Sequence, residues 1–145
     1  MAVTGATGFI GHVLLQSLVK EGWKVKALTR RPRASNEFTQ WIEGDLDNHQ
    51  ALRRLVEGVS AVVHCAGRVR GNSRGDFVHT NVDGTSNLVR ASIEQSSPPR
   101  FLLISSLAAR EPALSWYATS KHMAEQLVSK HSREMPCTIF RPTAV

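Results

Sequence analysis

Cysteine is scarce: Cys65 and Cys137 are the only two in 145 residues, too few and too scattered for a disulfide framework or a zinc cage. Long apolar runs are missing as well. Stretches such as Phe101–Ile104 fall far short of the ~20 residues that cross a bilayer, so no membrane span is expected. No charged-then-apolar leader precedes the first glycine turn, and with so few cysteines the expected location is a reducing cytoplasm. Internal repeats and low-complexity tracts are absent too. What remains, 41% hydrophobic and 21% charged residues, is the balance of one ordinary globular domain, which excludes disorder.

Acidic residues are in the minority, 12 against 18 Lys+Arg, for a formal charge of +6. The basic residues are dispersed as Arg30-Arg31-Pro32-Arg33, Arg53-Arg54, Arg68, Arg70, Arg74 and single sites. They form no basic repeat and no RNA-type aromatic motif, so a nucleic-acid partner is a reading that only the motifs below set aside, leaving no nucleic acid expected. A small phosphorylated ligand would favour the same positive surface.

Short β-prone runs alternate with longer helical patterns. Val25–Thr29, Gln40–Glu43, Ala61–His64, Phe101–Ser105 and Thr138–Phe140 read as strands, after a short first one at Met1–Val3. Ile10–Glu21, Asn48–Glu57, Asn81–Gln95 and Trp116–Arg133 read as helices; in the third, Val82, Leu88, Val89 and Ile93 recur on one face. Segments 72–75 and 96–99 read as loops. Helices between nearly continuous apolar strands predict parallel pairing through right-handed crossovers, hence a doubly wound α/β sheet flanked by helices. The short first strand and the tail Arg141–Val145 make the 145 residues read as one nucleotide-binding domain belonging to a longer chain.

Thr4-Gly5-Ala6-Thr7-Gly8-Phe9-Ile10-Gly11 joins the first strand to the first helix. A helix N-terminus offers unpaired N–H groups and partial positive charge, and glycines let a pyrophosphate approach the backbone. The spacing, G-x-x-G-x-x-G, departs from the ordinary G-x-G-x-x-G fingerprint. A tight turn with Gly11 easing helix packing would use the same glycines, but the strand-turn-helix setting favours a nucleotide.

The tip of the second strand bears on which nucleotide. A carboxylate there would bond the ribose hydroxyls of NAD, whereas arginine accommodates the 2′-phosphate of NADP. Here the strand runs into Thr29-Arg30-Arg31, so NADP is favoured over NAD, with a solvated basic loop as the alternative. After the third strand comes Gly44-Asp45-Leu46. Asp45 could accept from an adenine amino group, provided Asp47 or Asn48 caps the next helix.

Tyr117-Ala118-Thr119-Ser120-Lys121 sets the only tyrosine of the chain and a lysine four residues apart, on one helical face. An ammonium beside a phenol stabilises the phenolate and so assists proton exchange. Ser105-Ser106 ends a strand at the carboxyl edge, where open α/β sheets gather ligands. In order and separation these residues, with His64-Cys65-Ala66-Gly67, Asn81-Val82-Asp83-Gly84-Thr85 and Arg141-Pro142-Thr143, resemble the extended short-chain dehydrogenase/reductases of the NAD-dependent epimerase/dehydratase type.

That resemblance implies a Rossmann-type sheet and an NAD(P)-dependent oxidoreductase, epimerase or dehydratase acting at a carbinol or carbonyl carbon. Tyr117 would be the acid–base group, Lys121 would hold the nicotinamide ribose, Ser106 would bond the reacting oxygen, and Asn81 would order the site from the start of the central helix. The cofactor would lie against Gly5, Thr7, Gly8, Phe9, Ile10 and Gly11, with Arg30, Arg31, Asp45 and Leu46 on one side, Cys65, Ala66 and Gly67 on the other, and Tyr117 and Lys121 also touching it. The substrate would be a small molecule, a nucleotide sugar or another carbonyl or alcohol. Leu107–Trp116 lacks the Val-Tyr-Gly stretch usual in nucleotide-sugar enzymes and is shorter. The resemblance also implies that a C-terminal part after Arg141-Pro142 builds most of the substrate pocket, so these residues alone would be inactive, and that the long helices join a homodimer. A non-catalytic NAD(P)-binding scaffold or redox-sensing subunit on the same fold is the competing class.

Overall fold

The computed structural model describes residues 1–143; Ala144 and Val145, the last of the expected tail, lie outside the described residues. Six strands, β1 (Ala2–Thr4), β2 (Val25–Thr29), β3 (Thr39–Glu43), β4 (Ala61–His64), β5 (Arg100–Ile104) and β6 (Cys137–Phe140), form one sheet. All neighbours pair in parallel, in the order β3-β2-β1-β4-β5-β6. The chain builds outward from β1 to one edge, then returns to β4 and builds to the other. That reversal opens a crevice at the carboxyl ends of β1 and β4, where ligands of open α/β sheets bind.

Helices α1 (Phe9–Lys20), α2 (His49–Val56), α3 (Arg74–Val78), α4 (Gly84–Ile93) and α5 (Trp116–Lys130) cover the sheet. Because successive strand side chains point to opposite faces, Ala2, Leu28 and Val62 join one core with Leu52, Leu88 and Val128 of α2, α4 and α5. Val3, Ala27 and Val63 join the other with Leu15 of α1. This is the doubly wound arrangement the alternating pattern predicts. No helix among the described residues is long and apolar enough to cross a membrane.

The largest departure is at the central helix. It starts at Arg74, not Asn81, and segment 72–75 is mostly its cap: Ser73 Oγ accepts the Asp76 N–H, while the Asp76 carboxylate accepts from Ser73 and Asn72. From His79 to Asp83 the helix loosens into a single π turn before resuming as α4. Leu107–Trp116 is not plain loop either; it forms 3₁₀ turns at Leu107–Arg110 and Pro112–Leu114.

Candidate functional site

The glycine turn is shaped by close backbone approach. Gly5 has φ +68°, and a Cβ there would stand 2.6 Å from the Ala66 nitrogen. At position 11 a Cβ would stand 2.1 Å from the Gly5 carbonyl oxygen, so the first turn of α1 sits directly on the loop. Gly8 caps α1 without any side-chain bond. The first N–H groups of α1 are therefore left to face the crevice.

A cavity of about 720 Å³ opens there, lined by Gly5, Thr7 and Gly8, by Thr29 and Arg30, and by Asp45 and Leu46. Cys65, Ala66 and Gly67 form the opposite wall, which continues into Arg68, Val69 and Arg70. Six expected cofactor residues do not line it, Tyr117 and Lys121 of α5 among them. Phe9 and Ile10 are exposed at the start of α1, Phe9 at 74%, and Gly11 is packed under the turn. Arg31 is off the lining, its backbone held by Thr29, whose Oγ1 donates to the Arg31 carbonyl (2.8 Å) and accepts its N–H (3.3 Å). Arg33 is drawn away onto Trp41, its guanidinium 5.1 Å from the ring centre.

Asn48 caps α2 by accepting the Ala51 N–H (2.9 Å). Asp47 does no capping and pairs instead with His79 across the cavity margin (3.1 Å). Asp45 is not left wholly free for a ligand: its Oδ1 accepts the N–H groups of Asp47 and Asn48, both at 3.0 Å. Its other oxygen carries no such bond.

Asn81 is not an N-cap; it sits inside the π turn, buried, with its side chain fully engaged. It accepts the Arg68 N–H (2.7 Å) and donates to the Arg68 carbonyl (3.0 Å) and to Ser120 Oγ (2.9 Å). Ser120 in turn donates to the Tyr117 carbonyl (2.8 Å). A second chain of bonds runs beneath. Thr85 donates to the Asn81 carbonyl (2.6 Å), so at its 3.0 Å contact with His64 Nε2 its oxygen must accept. His64 therefore carries its proton on Nε2, and its Nδ1 accepts from Thr4 Oγ1 (2.6 Å), which itself accepts the Ala66 N–H (3.2 Å). Complete burial, with the Lys121 charge nearby, pushes the His64 pKa down to about 3 and keeps the ring neutral.

Lys121 is buried on α5 and donates to the Ile104 carbonyl (2.7 Å), the last residue of β5 and two before Ser106. A Cβ on Gly67 would lie 3.8 Å from its ammonium, which places Lys121 behind the cavity wall. Burial drives its pKa down to about 8, against the pull of Glu125 and Cys65. Tyr117 lies half-buried, one turn earlier, with its ring edge-on to Phe77 at 6.4 Å. Ser106 is half-buried and accepts the Ala108 N–H (3.2 Å) at the head of the first 3₁₀ turn. Burial raises the Cys65 pKa to about 11, so its thiol stays protonated at neutral pH.

A family model described as "NAD dependent epimerase/dehydratase family" matches residues 1–145. The chain belongs to this family. Among curated relatives, a ceramide reductase of Caulobacter vibrioides is 37% identical over all of this chain and 46% of its own length. A decarboxylating sterol-4-alpha-carboxylate 3-dehydrogenase of Dictyostelium discoideum is 28% identical over 87% of this chain and 46% of its own. The chain thus spans about half the length of the curated relatives it matches. Among solved structures, a short-chain dehydrogenase/reductase superfamily protein of Agrobacterium tumefaciens with bound NAD superposes with TM-score 0.83 and 28% identity, covering 97% of this chain and 48% of that one.

Sequence reasoning missed the Arg68–Arg70 wall and the Asp47–His79 pair. The capping-box spacing Ser73-x-x-Asp76 was the available signal that the helix starts before Asn81.

Proposed function

We propose that residues 1–145 are the cofactor-binding domain of an NAD(P)-dependent oxidoreductase, epimerase or dehydratase in which Tyr117 exchanges the substrate proton. The observation that carries this reading is the bond from Lys121 to the last carbonyl of β5, which draws the helix bearing Tyr117 against the strand end bearing Ser106. The residues fit a dinucleotide: a glycine cradle that a Cβ would fill, an uncapped helix N-terminus, and small residues at Ala66 and Gly67. Arg30 on the cavity wall supports NADP over NAD.

When bound, the nicotinamide would supply or accept a hydride. Tyr117 gives its phenolic proton to the alkoxide as a carbonyl is reduced, or takes the hydroxyl proton as an alcohol is oxidised. Ser106 donates a hydrogen bond to that same oxygen and so polarises it. Lys121 would hold the ribose hydroxyls of the bound cofactor, and its charge favours the phenolate. Asn81 keeps the Arg68 loop fixed to the turn of α5 that carries Tyr117.

The names of the two curated relatives support a lipid-like carbonyl or alcohol as substrate. So do the exposed Leu114 and Trp116 just before Tyr117. We assign the enzyme to the cytoplasm and expect a homodimer. The deciding experiment is NADPH titration by fluorescence together with turnover of a carbonyl panel on the full-length protein. Tyr117→Phe is expected to abolish turnover and leave NADPH affinity unchanged. Retained turnover overturns the assignment of Tyr117, and tight NADPH binding with no turnover in the parent favours a scaffold.

A further inference from the structure

We propose that Glu125 is a positioning residue for the Tyr117–Lys121 pair: its buried carboxylate ties the ends of β5 and β6 to α5, and its charge, set against Arg141, holds Lys121 as an ammonium. The inference rests on the reading of Lys121 as part of the hydride-transfer site.

The geometry is a three-way junction. Tyr117, Lys121 and Glu125 follow one another at four-residue spacing, so they share a stripe of α5. Glu125 is 4% exposed. Ser105 Oγ donates to its Oε1, as does Arg141 Nε (2.9 Å), while Arg141 Nη2 donates to Oε2 (2.7 Å). Ser105 directly follows β5 and precedes Ser106; Arg141 directly follows β6. The Ser105 N–H also donates to the Phe140 carbonyl (2.7 Å), closing the junction through the backbone.

Packing alone does not call for a charge here. A buried ion pair is often no more stabilising than apolar residues of the same volume. The charge has a use one turn away, at Lys121, which is desolvated and needs an anion to keep its proton. The titratable groups that act on Lys121 are Glu125 on its own helix, with His64 at the end of β4 and Cys65 directly after it. His64 is neutral and the Cys65 thiol is protonated at neutral pH. At that pH Glu125 is thus the anion that acts on Lys121 among the described residues. Arg141 bonds the same carboxylate and hydrogen-bonding holds the Glu125 pKa below the usual range despite burial, so the carboxylate stays ionised. The cation also offsets part of its field.

Two substitutions then act in opposite directions, which a purely structural junction would not produce. The test follows the ¹³Cε titration of Lys121 by NMR, identified by its loss in Lys121→Arg. In the parent its midpoint is expected at about 8. Glu125→Gln keeps an acceptor and removes the charge, and is expected to lower the midpoint by about one pH unit. Arg141→Gln removes the opposing cation and is expected to raise it, with Arg141→Lys restoring the parent value. No movement, or movement of both in the same direction, overturns the proposal. Where Glu125→Gln fails to fold, the two Arg141 variants decide alone: a rise restored by lysine supports the proposal, and anything else overturns it. NADPH titration of the parent is read separately. Failure to bind NADPH sinks the reading of the site and leaves the Lys121 titration standing as a result in its own right.

Discussion

Asn81 holds both backbone groups of Arg68, accepting its N–H at 2.7 Å and donating to its carbonyl at 3.0 Å, and passes the second hydrogen of its amide to Ser120. One buried amide thereby fixes the loop that walls the cavity and the turn of α5 next to Tyr117. The amide sits inside the single π turn of the helix, an irregularity frequent at functional sites.

Removing that amide should loosen loop and helix together. Asn81→Ala leaves Ser120 and the Arg68 backbone without their partner, at an expected cost of about 1–3 kcal/mol in denaturant unfolding. NADPH affinity should fall by roughly tenfold as the wall at Ala66–Gly67 loses its anchor. Asn81→Asp keeps the acceptor for the Arg68 N–H but has no hydrogen for Ser120. It should lie no closer to the parent than halfway. An Asn81→Ala variant that binds NADPH like the parent would disconnect this amide from the cofactor site.

The arginines after β2 should not behave alike. Arg30 lines the cavity, whereas Arg31 does not and Arg33 is committed to Trp41. A charge-assisted bond to a 2′-phosphate is worth about 1.5–3 kcal/mol. Arg30→Ala should therefore weaken NADPH by roughly ten- to a hundredfold while leaving NADH within a factor of about two. Arg31→Ala should alter neither by more than about twofold. Fluorescence titration of both nucleotides against both variants checks this, and equal losses for NADPH and NADH in Arg30→Ala would sink the phosphate assignment.

The sheet was legible because its signals are local and repeated. Val25–Thr29 and Ala61–His64 were read to the residue, since apolar β-prone runs between helical patterns leave little choice of element. The glycine turn was legible for a different reason: Gly5 and Gly11 answer contacts that exclude a Cβ, and such contacts leave only one residue type. What escaped reading depends on tertiary partners. Asn81 looks like a cap in sequence because it precedes a periodic run, yet its bonds go to Arg68 and Ser120, 13 and 39 residues away. Arg31 looks like Arg30 in sequence. In the fold, Arg30 is on the cavity lining while the Arg31 backbone is tied to the Thr29 hydroxyl.

His64 predicts how the protein responds to acid. It lies wholly buried between Thr4 and Thr85 with its proton on Nε2, so a second proton would have to displace the hydrogen that Thr4 donates to Nδ1. Its pKa falls from an ordinary 6.5 to about 3, through burial first and the Lys121 charge second. Between those two values the unfolded chain binds a proton that the folded chain refuses. Stability is therefore full above 6.5 and is lost as the pH falls toward 3, with a slope approaching about 1.4 kcal/mol per pH unit. From pH 7 to pH 5 the loss assigned to His64 is about 2 kcal/mol. The carboxylates of Glu125 and Asp76, both held below their ordinary values, act only at lower pH. His64→Gln keeps a donor for Thr85 without a titrating ring. It should be less stable than the parent at pH 7 yet lose about 2 kcal/mol less between pH 7 and pH 5 in urea unfolding. Parallel pH profiles for parent and variant would show that His64 is not the buried neutral base its hydrogen bonds require.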